Sequence, residues 1–340
     1  MGQRAWAPGR VNLIGDHTDY MGGLVLPMAI GLGAEVTGDR GGDWVMLGSE
    51  QFDGVAEIAL DSQSDPAFIE PPWARYVAAV VAEIAPRDGF VGVLNSTLPP
   101  GGGLGSSAAV EVAVATALGA DLADPLRVAQ ACQRAEERAV GVPCGIMDQL
   151  VAIAAVPDAA LRIDCRTLEI DHVPFPDDAE VAVVHSGDQR DLAKTPYAER
   201  RAECEAAEEL VGRRLRDLSP AEVEDIDEPL LRRRARHVTT ENDRVDALAA
   251  ALTEAQLRYA GELLVASHVS LRDDFEVSTP RLDALVTELR ATPGVFGARV
   301  TGAGFGGCVI ALCRSETPIG PPVLWRGRPA HGAELRQIRD

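Results

Sequence analysis

LPPGGGLGSSAAVEVA, residues 98–113, changes character twice in a few positions. Two prolines end what precedes it, glycines fill 101–103 and 105, and Ser106 and Ser107 open a run of alanine and valine. Glycine lets the backbone turn sharply and approach a ligand closely. A helix starting at the serines would aim its free N–H groups and the positive end of its dipole at that loop, which suits a phosphate. Serine hydroxyls there can cap the helix or ligate Mg²⁺. No Gly-Lys-Ser/Thr follows, so the loop is not a Walker A motif, and the glycine spacing is not the dinucleotide fingerprint. The plain alternative is a turn with an ordinary serine cap. A second glycine loop, TGAGFGGCV at 301–309, argues against it. Two such loops far apart in sequence can close on one ligand, although alone the second also fits a tight hairpin.

Outward from the first loop, strand-like and helix-like segments alternate. Residues 24–30, 43–47, 90–98 and 180–185 read as strands. Residues 73–85, 125–139 and 281–291 read as helices, and 142–155 as a loop running into one. The alanine-rich helix after the glycine loop has little polarity on any face and should be deeply packed. Residues 197–260, rich in Glu and Arg at helical spacing, read as surface-exposed helix. The proline-marked tail after Arg314 has no clear period and reads as a loose strand or disorder. The interleaving gives an α/β (α+β) class; the length suits two domains or one large one, and a boundary near 180 would divide the chain into 1–180 and 181–340.

The opening stretch GRVNLIGDHTDYMGG, 9–23, gathers Arg10, Asp16, His17, Asp19 and Tyr20 between glycines. Mixed donors and acceptors suit a neutral polyhydroxylated ligand, whose hydroxyls both give and accept. Metal-ligand spacing is missing; an Asx-rich turn is the plain alternative. Asp148, in CGIMDQL, falls near a helix start, where the dipole favours its ionised form. It is either a helix cap or a general base toward a hydroxyl. Glu136 is either a solvated helix residue or a Mg²⁺ ligand beside phosphates.

Composition narrows the partners. The chain has 340 residues, 46% of them hydrophobic, and a formal net charge of −20. That charge disfavours nucleic acid and anionic membrane surfaces. No apolar run of about 18 residues is present to span a bilayer. Six cysteines without CxxC pairing read as reduced thiols of a cytoplasmic protein.

Seven stretches, in order, match one family. The chain resembles the galactokinases, within the GHMP superfamily of small-molecule kinases. GRVNLIGDHTDYMGGLVLPMAI looks like the galactokinase signature, LPPGGGLGSSAAVEVA the superfamily phosphate loop and TGAGFGGCVIAL its third motif. CGIMDQL is similar to the segment holding the catalytic aspartate; TPYAERRAEC, ARHVTTENDRV and SHVSLRDDFEVSTP match as well. The resemblance implies the two-domain GHMP kinase fold, with ATP and sugar in the cleft between domains. It implies Asp148 and Arg10 as the catalytic pair, and Arg10, Asp16, His17, Asp19, Gly145, Asp148 and Tyr197 as sugar-binding positions. Gly101, Gly102, Gly103, Leu104, Gly105, Ser106, Ser107 and Ala108 would wrap ATP, with Ser106 and Glu136 on Mg²⁺. The implied activity is transfer of the ATP γ-phosphate to the anomeric hydroxyl of galactose, by a monomer.

Four departures from the family pattern bear on the sugar. Asp16 stands where galactokinases usually have Glu, Met21 replaces a usual Asn, Gly105 replaces a first Ser, and SGDQRDL, 186–192, differs from the usual Asn-x-Arg-His version. A related sugar, such as an amino sugar, arabinose or a uronic acid, is therefore the second expectation. A non-catalytic sugar and ATP sensor is the third, disfavoured because such relatives lack the Ser-Ala step that Ser107 and Ala108 supply here.

Overall fold

The computed structural model describes residues 2–99, 101–141, 144–188 and 197–338. The first half is built on β1 (Gln3–Asn12), β3 (Pro27–Arg40), β4 (Trp44–Gly48), β5 (Ala56–Ala59) and β6 (Phe90–Ser96). With β13 (Glu334–Gln337) these make a six-stranded sheet in the order β13-β1-β3-β6-β4-β5. Helices α1 (Ala74–Ile84), α2 (Ser106–Ala117), α3 (Pro125–Val140) and α4 (Met147–Ala154) form a layer, in which α2 and α4 pack on β1 and β3. Apolar residues on every side of α2 account for its place: Ala109, Val112, Ala113 and Ala115 are all buried.

The second half centres on β9 (Ala179–His185), β10 (Val295–Thr301), β11 (Cys308–Arg314) and β12 (Val323–Gly327), in the order β10-β11-β9-β12. Helices α8 (Leu257–Asp273) and α9 (Pro280–Ala291) pack against β10. A small sheet of β2 (Leu24–Val25), β7 (Ala159–Asp164) and β8 (Ile170–Pro174) lies beside α7 (Pro229–Thr253). One apolar core runs through both halves, joining Val11 and Ile14 to Leu248, Leu264 and Ile310.

One expectation is narrowed and one needs correction. Of the two readings of the tail, strand holds over disorder in the described residues: β12 pairs with β9, and β13 pairs with β1 in the sheet of the first half. Arginines anchor it, with Arg326 donating to Glu180 at 2.5 Å and Arg328 to the Pro176 carbonyl at 2.5 Å. Strands this short, pairing with distant ones, leave no period to read. The charged region 197–260 is not one exposed surface. It holds α5 (Tyr197–Val211), α6 (Pro220–Glu224), α7 and the start of α8. Helix α7 buries Arg234, His237, Glu241 and Asn242, each hydrogen-bonded to other parts of the chain. Charged residues read as solvated because burial of a charge requires partners that sequence spacing does not reveal.

Candidate active site

Strand β1 enters the core, and its end carries Arg10. The Arg10 backbone N–H donates to the Leu104 carbonyl at 2.9 Å, fixing the glycine loop beside it. The guanidinium grips Asp148 from α4 with two parallel bonds, Nε to Oδ1 at 2.8 Å and Nη2 to Oδ2 at 2.5 Å. Its Nη1 donates to the Gly103 carbonyl at 2.5 Å. Such a bidentate, charge-assisted pair fixes both partners in plane. Gly105 closes over it in left-handed geometry at φ 72°; a Cβ there would come within 3.3 Å of Arg10 and 3.4 Å of Asp148.

This pair lies in the wall of a cavity of about 600 Å³. One side is lined by Gly101, Gly103, Gly105, Ser106 and Ser107 of the phosphate loop and by Glu136. The other is lined by Asp16, His17 and Asp19, with Gly145, Tyr197 and, from the second glycine loop, Gly302 and Ala303. The opening cluster, both glycine loops and Asp148 thus share one cleft. Gly102, Leu104 and Ala108 of the loop are buried and do not line it: Leu104 joins the apolar core and Gly102 packs behind Pro99. Lining residues absent from the sequence reading are Tyr76, Val140, Cys144 and Met147. Nothing in their local pattern separates them from ordinary packing positions on a helix or loop.

Helix α2 has no side-chain cap at its N-terminus. Ser107 is used otherwise. Ser107 Oγ donates to Glu136 Oε1 at 2.5 Å, and Gln149 Nε2 donates to Glu136 Oε2 at 2.7 Å. Burial raises the Glu136 carboxyl, against the pull of the Ser107 hydroxyl. Behind it the Gln149 amide also meets Glu111, at 3.2 Å, and burial pushes Glu111 well above the carboxylate range. Among the described residues no group of three or more His, Cys, Asp or Glu side chains is placed to hold a metal ion. Hydroxyl and carboxylate oxygens are nonetheless the hard donors that Mg²⁺ takes, and Mg²⁺ commonly keeps only one or two protein ligands besides phosphates and water.

On the opposite wall His17 adopts a left-handed backbone at φ 66°, which a side-chain-bearing residue holds only when its surroundings fix it. Its ring lies 4.8 Å from Phe275 and 5.5 Å from Tyr197, and its nitrogens meet Tyr20 Oη at 3.0 Å and the Ala303 carbonyl at 3.2 Å. Burial pushes the Asp19 carboxyl up to about 6; the Tyr20 backbone N–H opposes this, and the charges of Asp148 and Asp16 add to it. A Cβ added at Gly145 would meet Asp19 Oδ2, so a side chain there would displace the Asp19 carboxylate. Asp16 reaches the cavity wall, but Arg299 Nη2 donates to its Oδ2 at 2.5 Å and the Gly302 N–H to its Oδ1 at 2.9 Å. Of the departing segment 186–192, residues 189–192 lie outside the described residues.

Family models match in three places: the galactokinase galactose-binding signature at residues 3–39, the GHMP kinase N-terminal domain at 74–155 and the GHMP kinase C-terminal domain at 248–319. Galactokinase from Bos taurus is 43% identical over 336 residues, covering 91% of this chain and 83% of that protein. The chain belongs to the galactokinase family. Galactokinase from Canis lupus familiaris matches to the same extent, 43% over 336 residues, with 91% and 83% covered. Among solved structures, Lactococcus lactis galactokinase complexed with galactose superposes with a TM-score of 0.85 at 30% identity, over 99% of this chain and 95% of that one. Methanococcus jannaschii mevalonate kinase, at 22% identity and a TM-score of 0.69 over 93% and 92%, shares the fold. The two-domain GHMP kinase fold expected from the galactokinase-like motifs is therefore the fold observed.

Proposed function

We propose that this member of the galactokinase family transfers the γ-phosphoryl group of ATP to the anomeric hydroxyl of galactose. The observation that carries the reading is the Arg10–Asp148 pair, set between a phosphate-loop wall and a hydroxyl-binding wall of one cavity. Asp148 accepts the proton of the attacking hydroxyl. Arg10 orients that carboxylate through its two bonds and, with its remaining positive field, stabilises charge developing on the transferred group. The uncapped start of α2 and the lining residues of its loop, Gly101, Gly103, Gly105, Ser106 and Ser107, hold the ATP phosphates. Ser106 and Glu136 would hold Mg²⁺, with the Ser107 hydroxyl beside them, and Mg²⁺ when bound neutralises phosphate charge. His17, Asp19, Gly145 and Tyr197 present donors, acceptors and an aromatic surface to the sugar. The acceleration comes from positioning and electrostatics, as in phosphoryl transfer generally. A net charge of −20 suits a neutral sugar, and the six free cysteines fit a reducing cytoplasm.

A second reading keeps the chemistry and changes the sugar. It is favoured by Asp16, a shorter acid than the usual Glu, whose oxygens are taken by Arg299 and Gly302. ADP release with ATP and Mg²⁺ across galactose, galactosamine, 2-deoxygalactose, arabinose and galacturonate tests both. The first reading requires the highest kcat/KM for galactose; a higher value for another sugar replaces it with the second, and no turnover with any sugar removes both.

A further inference from the structure

Asp16 lines the sugar wall, yet its carboxylate is already spoken for. It is 3% exposed and lies against Arg299, which is fully buried. Arg299 sits on β10, just before the second glycine loop. Its Nη2 donates to Asp16 Oδ2 at 2.5 Å and its Nη1 to the Leu13 carbonyl at 2.8 Å. Asp16 Oδ1 in turn accepts the Gly302 N–H at 2.9 Å. One guanidinium thus holds both ends of the 13–16 segment, and the carboxylate it fixes ties that segment to the second glycine loop.

The other side of the segment is held from α7. Glu241 Oε1 accepts the Gly15 N–H at 3.0 Å, and a ring nitrogen of His237 meets the Asp16 carbonyl at 3.1 Å. Glu241 is also bound by Arg244 at 2.6 Å and stands 3.9 Å from Arg299. Arg244, Glu241, Arg299 and Asp16 therefore alternate in sign. This is a built clamp on the backbone that carries His17, whose left-handed geometry needs such support.

We propose that Arg299 and Asp16 are positioning residues for the sugar pocket: the pair locks the signature loop onto the second glycine loop, and Asp16 acts through that lock instead of reading a sugar hydroxyl itself. The inference deepens the kinase reading above and rests on it. A direct ligand and a positioning residue differ in one respect. Removing a direct ligand costs binding only for sugars that carry the hydroxyl it meets. Removing a positioning residue costs every sugar alike, because His17 and its neighbours shift together.

The test uses Asp16→Asn, which keeps an acceptor for Gly302 and removes the charge, and Arg299→Lys, which keeps the charge and cannot span both Asp16 and Leu13. Each is assayed with galactose and with each monodeoxygalactose, at saturating ATP, and separately for ATP. KM for galactose is expected to rise about tenfold in both, with KM for ATP within about twofold. The fold-loss is expected to be the same for every monodeoxygalactose that wild type turns over. A loss that disappears for one deoxy sugar overturns the proposal and makes Asp16 a direct ligand. So does a KM for ATP that moves with that for the sugar, a KM for galactose that does not move, or the absence of folded protein in both variants, which would assign the pair to the fold at large. Wild type that turns over no sugar overturns the kinase reading instead.

Discussion

Asp148→Asn is the substitution that bears hardest on the chemistry. Asparagine fills the same volume but turns one donor toward a guanidinium that needs an acceptor. Of the two bonds from Arg10, at 2.8 and 2.5 Å, one survives at most. Charge-assisted bonds of this kind contribute about 1.5–3 kcal/mol each. The Gly103 carbonyl and at most one bond to position 148 would then orient Arg10. Loss of a general base costs a factor of about 10²–10⁴, and a misdirected Arg10 about tenfold more. Together these predict a fall in kcat of about 10³–10⁵, equivalent to about 4–7 kcal/mol on the barrier. His17, Asp19 and Tyr197 lie on other elements, so galactose should still bind within about threefold of the wild-type affinity. ADP release measures the rate and isothermal titration measures the affinity. A kcat within tenfold of wild type would refute the base assignment. Sugar affinity lost in step with kcat would refute the separation of Asp148 from the sugar wall.

Other predictions concern the sugar side and stability. Gly145→Ala drives a methyl group onto the Asp19 carboxylate, so KM for galactose should rise at least tenfold while KM for ATP stays put; steady-state kinetics on both substrates checks this. Asp19, raised to about 6, is protonated below that pH and gives up its charge and part of its acceptor capacity there. KM for galactose should therefore climb as pH falls through 6, by about tenfold at pH 5, and Asp19→Asn should flatten that rise. His237 is held neutral by burial, with its pKa lowered to about 4. Its unfolded value is near 6.5, so the unfolded state binds the proton first and stability is lost as pH falls from 6.5 toward 4. Urea unfolding should show about 2 kcal/mol lost from this group between pH 7 and 5, and His237→Gln should reduce that loss.

The site was more legible than the scaffold that holds it. Glycine loops announce themselves, because glycine suits Gly105 at φ 72° against the Arg10–Asp148 pair. A cluster such as Arg10, Asp16, His17 and Asp19 is conspicuous because polar residues seldom crowd a segment that is also buried. Local sequence does not show that Asp16 turns to Arg299, 283 residues away in the chain, or that Ser107 is the hydroxyl that meets Glu136. Nor does it show the grip of α7 on the signature loop. The helical period marks which residues share a face, but Glu241 and Asn242 look like solvated polar residues until Gly15 and Leu24 arrive to donate to them. Tyr76 lies in a stretch whose spacing marks only a helix, and only the fold opens it to the cavity. Long-range hydrogen bonds decide these cases, and local pattern holds no record of them.

The most direct measurement is the identity of the product. Wild-type protein with galactose, ATP and Mg²⁺, followed by ³¹P and ¹H NMR, should yield ADP and a single sugar phosphate in equal amounts, with phosphorus coupled to the anomeric proton. Phosphate found on any other hydroxyl, or ADP accumulating without a sugar phosphate, would contradict the placement of the anomeric oxygen at Asp148.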